Sequence, residues 1–180
     1  MSTKLNSRIK DRLTVPYAML LSFGTYFCMY AFRKPFAAAQ FVEAEPVLGT
    51  IDFKIALIIS QVIGYALSKF IGIKVISELR HNHRLFLLIG FILFSELALV
   101  GLGFSRDSAW AVIFLFLNGL PLGMIWGIVF SYLEGRRSTE ILGAGLCASF
   151  ILSSGVVKST GTWLMQSWNV SEYWMPAATG

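Results

Sequence analysis

Residues 15–42 read VPYAMLLSFGTYFCMYAFRKPFAAAQFV. Val15 to Phe32 passes without a charge; Arg33, Lys34 and Pro35 follow, and the chain is apolar again from Phe36 to Val42. A membrane helix needs about 20 apolar residues, so this stretch sets the class. A cation at the centre of such a helix costs about 2.5–3.5 kcal/mol on insertion scales. A chain that keeps cations near or inside its spans has a use for them, and the simplest is to draw something negative into the membrane.

Four further stretches share this character. The spans are predicted at about 15–40, 51–76, 85–104, 109–132 and 141–168, preceded by a cytoplasmic segment, 1–13. A sixth apolar helix opens near 172 and stops at Gly180 without a polar flank, so a span cut short is expected, within a transmembrane domain covering 14–180. Of the 180 residues, 56% are hydrophobic and 14% charged, where a soluble domain carries about a quarter charged residues. The expected fold is an all-α polytopic transmembrane helix bundle, with the lipid bilayer as its solvent. Short links, 106–108 and 134–140, make neighbouring helices antiparallel.

Lysines and arginines orient the bundle. With the amino terminus inside, nine collect on the cytoplasmic side: Lys4, Arg8, Lys10, Arg12, Lys74, Arg80, Arg84, Arg136 and Arg137. Four collect outside: Arg33, Lys34, Lys54 and Arg106. The asymmetry predicts an integral membrane protein with its amino terminus cytoplasmic.

At about 100° per residue, Ser22, Tyr26, Met29, Arg33 and Gln40 share one side of span one, with Thr25 and Tyr30 at its margins. Span two groups Gln61, Tyr65, Ser68 and Gly72, with Lys69 at the edge. A helix facing lipid has no reason to collect its polar groups; one lining a watery cavity does. Two readings of Arg33 and Lys34 stand at this level: they mark the outer headgroups by snorkelling, or they lie below the end of a longer helix that Pro35 kinks or unwinds. Lys69 is either a ligand group or the partner of Glu96 in span three. Lys158 is free to snorkel.

Span four carries Gly119, Gly123 and Gly127 four residues apart, and span five carries Gly145, Ser149 and Ser153. These small-residue rows predict close helix contacts, the second answering the first. Pro121 predicts a kink in span four. Cys28 and Cys147 lie in apolar runs and read as small hydrophobes. His81 and His83 belong to a basic loop with no third metal ligand. The triplet Asn169-Val-Ser matches a glycosylation acceptor but adjoins a span. No phosphate-cradling loop, nucleophile elbow or zinc-protease signature occurs, so neither an enzyme nor a cofactor or metal is expected. The net charge of +5 sits at the ends of the spans and forms no nucleic-acid-binding face.

The stretch from Tyr26 through Tyr30, Arg33 and Lys34 to Phe36 resembles the first helix of the organophosphate:phosphate antiporters of the major facilitator superfamily, the branch that includes the glycerol-3-phosphate transporter. Gly64-Tyr65-Ala-Leu-Ser68-Lys69-Phe70 is similar to the second-helix motif, and Asn118-Gly119 to Gly127 to helix four. The resemblance implies an amino-terminal half of five spans and the start of a sixth, partnered by a carboxy-terminal half. It implies that Arg33 binds a substrate phosphate, flanked by Tyr26 and Tyr30, and that Tyr65 and Lys69 stand near the ligand. The sequence departs from the pattern at Phe150, where the family places a histidine, at Met124 to Gly127, which lacks two prolines, and at Glu78-Leu79. The expected function is secondary active transport of a small organic anion, such as a phosphorylated compound, by alternating access. The alternatives are a non-transporting membrane sensor of a similar ligand and a small structural membrane protein.

Overall fold

The computed structural model describes residues 2–42, 44, 46, 47, 51–78, 81–106, 108–132 and 139–180, with side chains from residue 16 in the first helix, 83 in the third and 140 in the fifth. The helices are α1 (Ser2–Ala31), α2 (Phe53–Glu78), α3 (His81–Ser105), α4 (Ala109–Ser131), α5 (Thr139–Trp168) and α6 (Met175–Thr179). Among the described residues there is no strand beyond one isolated bridge, Val47 to Ile51. The protein is an all-α helix bundle. Among the described residues, four helices, α2 to α5, are long and apolar enough to cross a membrane. Their lipid side is plain: Ile55, Ile59 and Ile63 on α2, Phe86, Leu93 and Leu97 on α3, and Ile151 on α5 are all exposed.

The expected 15–40 helix is not continuous. α1 ends at Ala31, and the chain continues as a 3₁₀ turn, Pro35–Ala38. Pro35 lacks an N–H and cannot extend the α-helical ladder, but it fits the first position of a new turn. Arg33 therefore stands in the break between two helical pieces. Pro121, by contrast, sits buried inside α4, which runs through it as one helix. Residues 81–84, read as part of a loop, form the first turn of α3; residues 79 and 80 lie outside the described residues.

α2 packs on α4, and α1 on α5. The glycine row of α4 therefore meets α2 and not α5, which corrects the expected pairing. A Cβ at Gly119 would collide with the Gln61 carbonyl, and one at Gly123 with Ser68 and the Tyr65 carbonyl. Bare glycines let the two backbones touch, the packing device available where lipid is as apolar as leucine. The α5 row turns to α1: Gly145 faces Met19, and Ser149 Oγ donates to the Phe23 carbonyl at 3.1 Å. Two cores result. One, around Tyr26, Met29, Leu122, Ile125 and Leu146, joins α1, α4 and α5. The other, around Phe41, Phe53, Leu57, Leu102 and Met175, closes the end where α1 stops and α2 starts.

A cationic aromatic cluster at the middle of the bundle

The break after α1 leaves backbone carbonyls without helical partners, and side chains from two helices collect them. Asn118, fully buried on α4, donates through Nδ2 to the Phe32 carbonyl at 3.2 Å, to the Ser95 carbonyl at 3.2 Å and to Ser95 Oγ at 2.7 Å. Gln61, buried on α2, donates through Nε2 to the Arg33 carbonyl at 3.2 Å. A buried amide left unpaired costs about 1–3 kcal/mol, so such groups gather where carbonyls are free. The effect is to fix the backbone on both sides of the Phe32–Arg33 peptide.

From that anchored backbone the Arg33 guanidinium lies over the Tyr65 ring, 4.0 Å from its centroid, and 5.7 Å from that of Tyr30. Lys69 Nζ lies 4.7 Å from the same Tyr65 ring. Two cations thus share one aromatic ring. The hydroxyls of Tyr26 and Tyr65 stand 3.5 Å apart, and the Tyr26 and Tyr30 rings lie 5.6 Å apart. All five residues singled out from the sequence, Arg33, Lys69, Tyr26, Tyr30 and Tyr65, meet in one cluster. Phe150 joins it from α5, its ring 4.6 Å from Tyr26 and 5.9 Å from Tyr30. An apolar ring thereby fills the wall that the antiporter resemblance assigns to a histidine. Lys34 and Lys158 add to the field, close enough to repel one another beside Arg33.

Depth follows from helix arithmetic. Tyr65 is thirteenth of the 26 residues of α2, about 18 Å from its start at 1.5 Å per residue. The two cations meet there, at mid-helix. Lys69 and Glu96 form no pair: Lys69 is exposed beside Tyr65, whereas Glu96 Oε2 is buried without a hydrogen-bond partner.

The polar side of α2 divides. Tyr65 and Lys69 border the cluster, but Ser68 is fully buried against Gly123 and donates to the Tyr65 carbonyl at 2.9 Å, and Gly72 packs on Met124. Half of that stripe is helix contact. On α1, Ser22, Tyr26, Met29 and Tyr30 are all buried within the bundle. Asn118 and Ser95, which fix the site's backbone, carried no predicted role. The signal was present: Asn118 is the one amide in α4, and an amide inside an apolar span needs partners. Asn169, of the acceptor triplet, ends α5 at φ 51°, a left-handed conformation asparagine tolerates. Cys28 and Cys147 are free thiols.

Fold and cluster together define a polytopic membrane helix bundle with a cationic, aromatic centre. The chain belongs to a family of unknown function, DUF5690, whose model matches residues 35–180. Tyr65, Lys69, Asn118 and Phe150 lie within the matched stretch; Tyr26, Tyr30 and Arg33 precede it. Neither the curated proteins nor the solved structures contain a match to the chain.

Proposed function

We propose that this protein is a secondary active transporter of a small organic anion, of which a phosphorylated compound is the leading candidate. One observation carries the reading: Arg33 and Lys69 converge on the Tyr65 ring at the middle of a membrane-length helix, and neither is paired with a described carboxylate. Cations at that depth are costly unless a counter-ion or water reaches them. A reversible organic anion is the counter-ion that a carrier would supply.

Arg33 would present its planar fork to the anion's oxygens and Lys69 a compact ammonium, both as charge-assisted hydrogen bonds. Tyr26, Tyr30 and Tyr65 would shape the pocket, with Phe150 as an apolar wall. The organophosphate antiporter resemblance supports the same five residues and adds a carboxy-terminal half that rocks against this one around a midplane site. The lysine and arginine asymmetry supports a cytoplasmic amino terminus, and the antiporter resemblance a bacterial inner membrane.

The test is counterflow of radiolabelled anions into proteoliposomes holding the full-length protein. The wild type is expected to exchange at least one phosphorylated or carboxylated compound, and the Arg33→Ala, Lys69→Ala double variant to lose that exchange. Undiminished exchange in the double variant removes these residues from the site. Saturable binding without exchange in the wild type replaces transport with sensing.

A further inference from the structure

A second feature runs from Lys69, at the edge of the cluster, to the end of the bundle where α2 and α4 stop and α3 begins. A groove of about 490 Å³ runs there between α2 and α4. Its floor is glycine, Gly72 from one helix and Gly123 and Gly127 from the other, and its walls are Ile73, Ile76 and Trp126. Lys69 lines the deep end, its ammonium 4.7 Å from the Tyr65 ring centroid. From Lys69 to Ser77, eight residues on, is about 12 Å of helix. The slot is therefore long, narrow and apolar for most of its length.

Its outer end carries one cation. Arg84, in the first turns of α3, donates through Nη1 to Ser131 Oγ at 3.0 Å and to the Ser131 carbonyl at 3.4 Å. Its guanidinium carbon lies 5.9 Å from the Tyr132 ring centroid. The Nε–H, however, is buried, and among the described residues it has no partner and no carboxylate neutralises the charge. A guanidinium held by one edge, with a sheltered N–H to spare, is an oxyanion site in want of an oxyanion. It stands at the helix ends, the level of lipid headgroups, and an acyl-sized apolar slot leads inward from it.

We propose that this groove holds an anionic phospholipid, its phosphate on the Arg84 guanidinium that Ser131 holds in place, and one acyl chain lying along Ile73, Ile76 and Trp126. Charge and shape both select that occupant: in a zwitterionic lipid an ammonium beside the phosphate cancels its charge, and a free anion leaves the apolar slot empty. Basic pockets between transmembrane helices recognise headgroups in this way. The inference rests on the membrane class of the fold and is independent of transport.

Trp126 is the reporter. Purified full-length protein in nanodiscs is titrated with phosphatidylglycerol carrying brominated acyl chains, and separately with equally brominated phosphatidylcholine. A Trp126→Phe variant isolates the quenching of that indole. Trp126 is expected to be quenched at about fivefold lower mole fraction of the anionic lipid, the preference one surface cation gives. Arg84→Gln should bring the two lipids to parity, and Arg84→Lys should keep most of the preference. Gly127→Leu, which fills the slot and leaves Arg84 in place, should lower quenching by both. Equal quenching by the two lipids in the wild type, or a preference that survives Arg84→Gln, overturns the proposal. Loss of the preference on adding inorganic phosphate at constant ionic strength assigns Arg84 to a free anion and overturns it too. If Arg84→Gln fails to fold, Arg84→Lys and Gly127→Leu still decide.

Discussion

Gln61 Nε2 stands 2.8 Å from Asn118 Oδ1, and this bond ties α2 to α4 at the level where α1 stops. The same Gln61 nitrogen holds the Arg33 carbonyl, and Asn118 holds Phe32 and Ser95. Four helices are joined by two amides. Asn118→Ala would strip partners from Gln61, from Ser95 and from the end of α1 together. Interhelical side-chain bonds in membranes average about 0.6 kcal/mol and reach about 1.7, so a change that unpairs several should cost about 2 kcal/mol. The expected result is a lower thermal midpoint in detergent, with anion binding weakened as Arg33 loses its fixed backbone. A wild-type midpoint for Asn118→Ala shows that the network does not hold the helices.

The close approach of α2 and α4 gives a sharper test. Gly119→Ala places a methyl against the Gln61 carbonyl and the Tyr65 amide, both backbone groups that cannot swing aside. Overpacking of this kind costs about 1–3 kcal/mol. Gly143→Ala meets nothing within 4 Å and serves as the control, with no loss expected and a slight gain in helix propensity. Because Gly119 touches the segment that carries Tyr65, its substitution should disturb ligand binding as well as stability. Equal midpoints for the two variants would show that the helices are not in contact there.

How far this was legible differs by residue. The all-α membrane class followed from apolar runs alone, because 20-residue stretches have few other uses. Arg33, Lys69 and the three tyrosines could be grouped because helical periodicity places side chains even when nothing is known of their partners. Partners were the harder part. A row of glycines announces a close contact without saying with what, and the α4 row was expected against α5 when it lies on α2. Pro35 marked a break, but whether the chain would kink and continue or stop and restart depends on donors such as Gln61 and Asn118, which reach the freed carbonyls from 28 and 86 residues away in sequence. Residues 81–84 looked like a loop because they are polar, yet a helix on the surface of a bundle starts with polar turns.

At the opposite end from Arg84, Glu172 fastens two loops together. Its carboxylate accepts from the Gln40 amide at 2.9 Å and, more closely, from the Phe41 amide. Phe41 sits at φ 53°, a conformation unfavourable for a bulky residue, and is held there by Glu172 and by the rings of Phe53 and Tyr173. Glu172→Gln keeps one acceptor oxygen but gives up the charge and the second oxygen. A loss of about 1–2 kcal/mol is expected, the difference between charge-assisted and neutral bonds. Hydrogen exchange at the amides of 40 and 41 is the local measurement. It should quicken in Glu172→Gln while exchange within α4 stays as in the wild type; unchanged protection at both amides would show that the clamp does not form in solution.

The cluster itself makes a prediction that separates a ligand site from a structural one. Without an anion, Arg33 and Lys69 repel across the Tyr65 ring, and each recovers only about 0.5–1 kcal/mol from it. Lys69→Gln should therefore leave the midpoint of the empty protein unchanged or slightly raised. With an anion the sign reverses. A ligand at 100 times its Kd stabilises the folded state by about 2.7 kcal/mol. Losing one charged hydrogen bond, about 1.5–3 kcal/mol, weakens Kd by about 10–150-fold and leaves about 1.4 kcal/mol of that shift or less. A thermal-shift screen of phosphorylated and carboxylated compounds against wild type, Arg33→Gln and Lys69→Gln reads both effects in one experiment. A structural pair of cations would behave otherwise, with lower midpoints in the empty variants and ligand shifts of wild-type size.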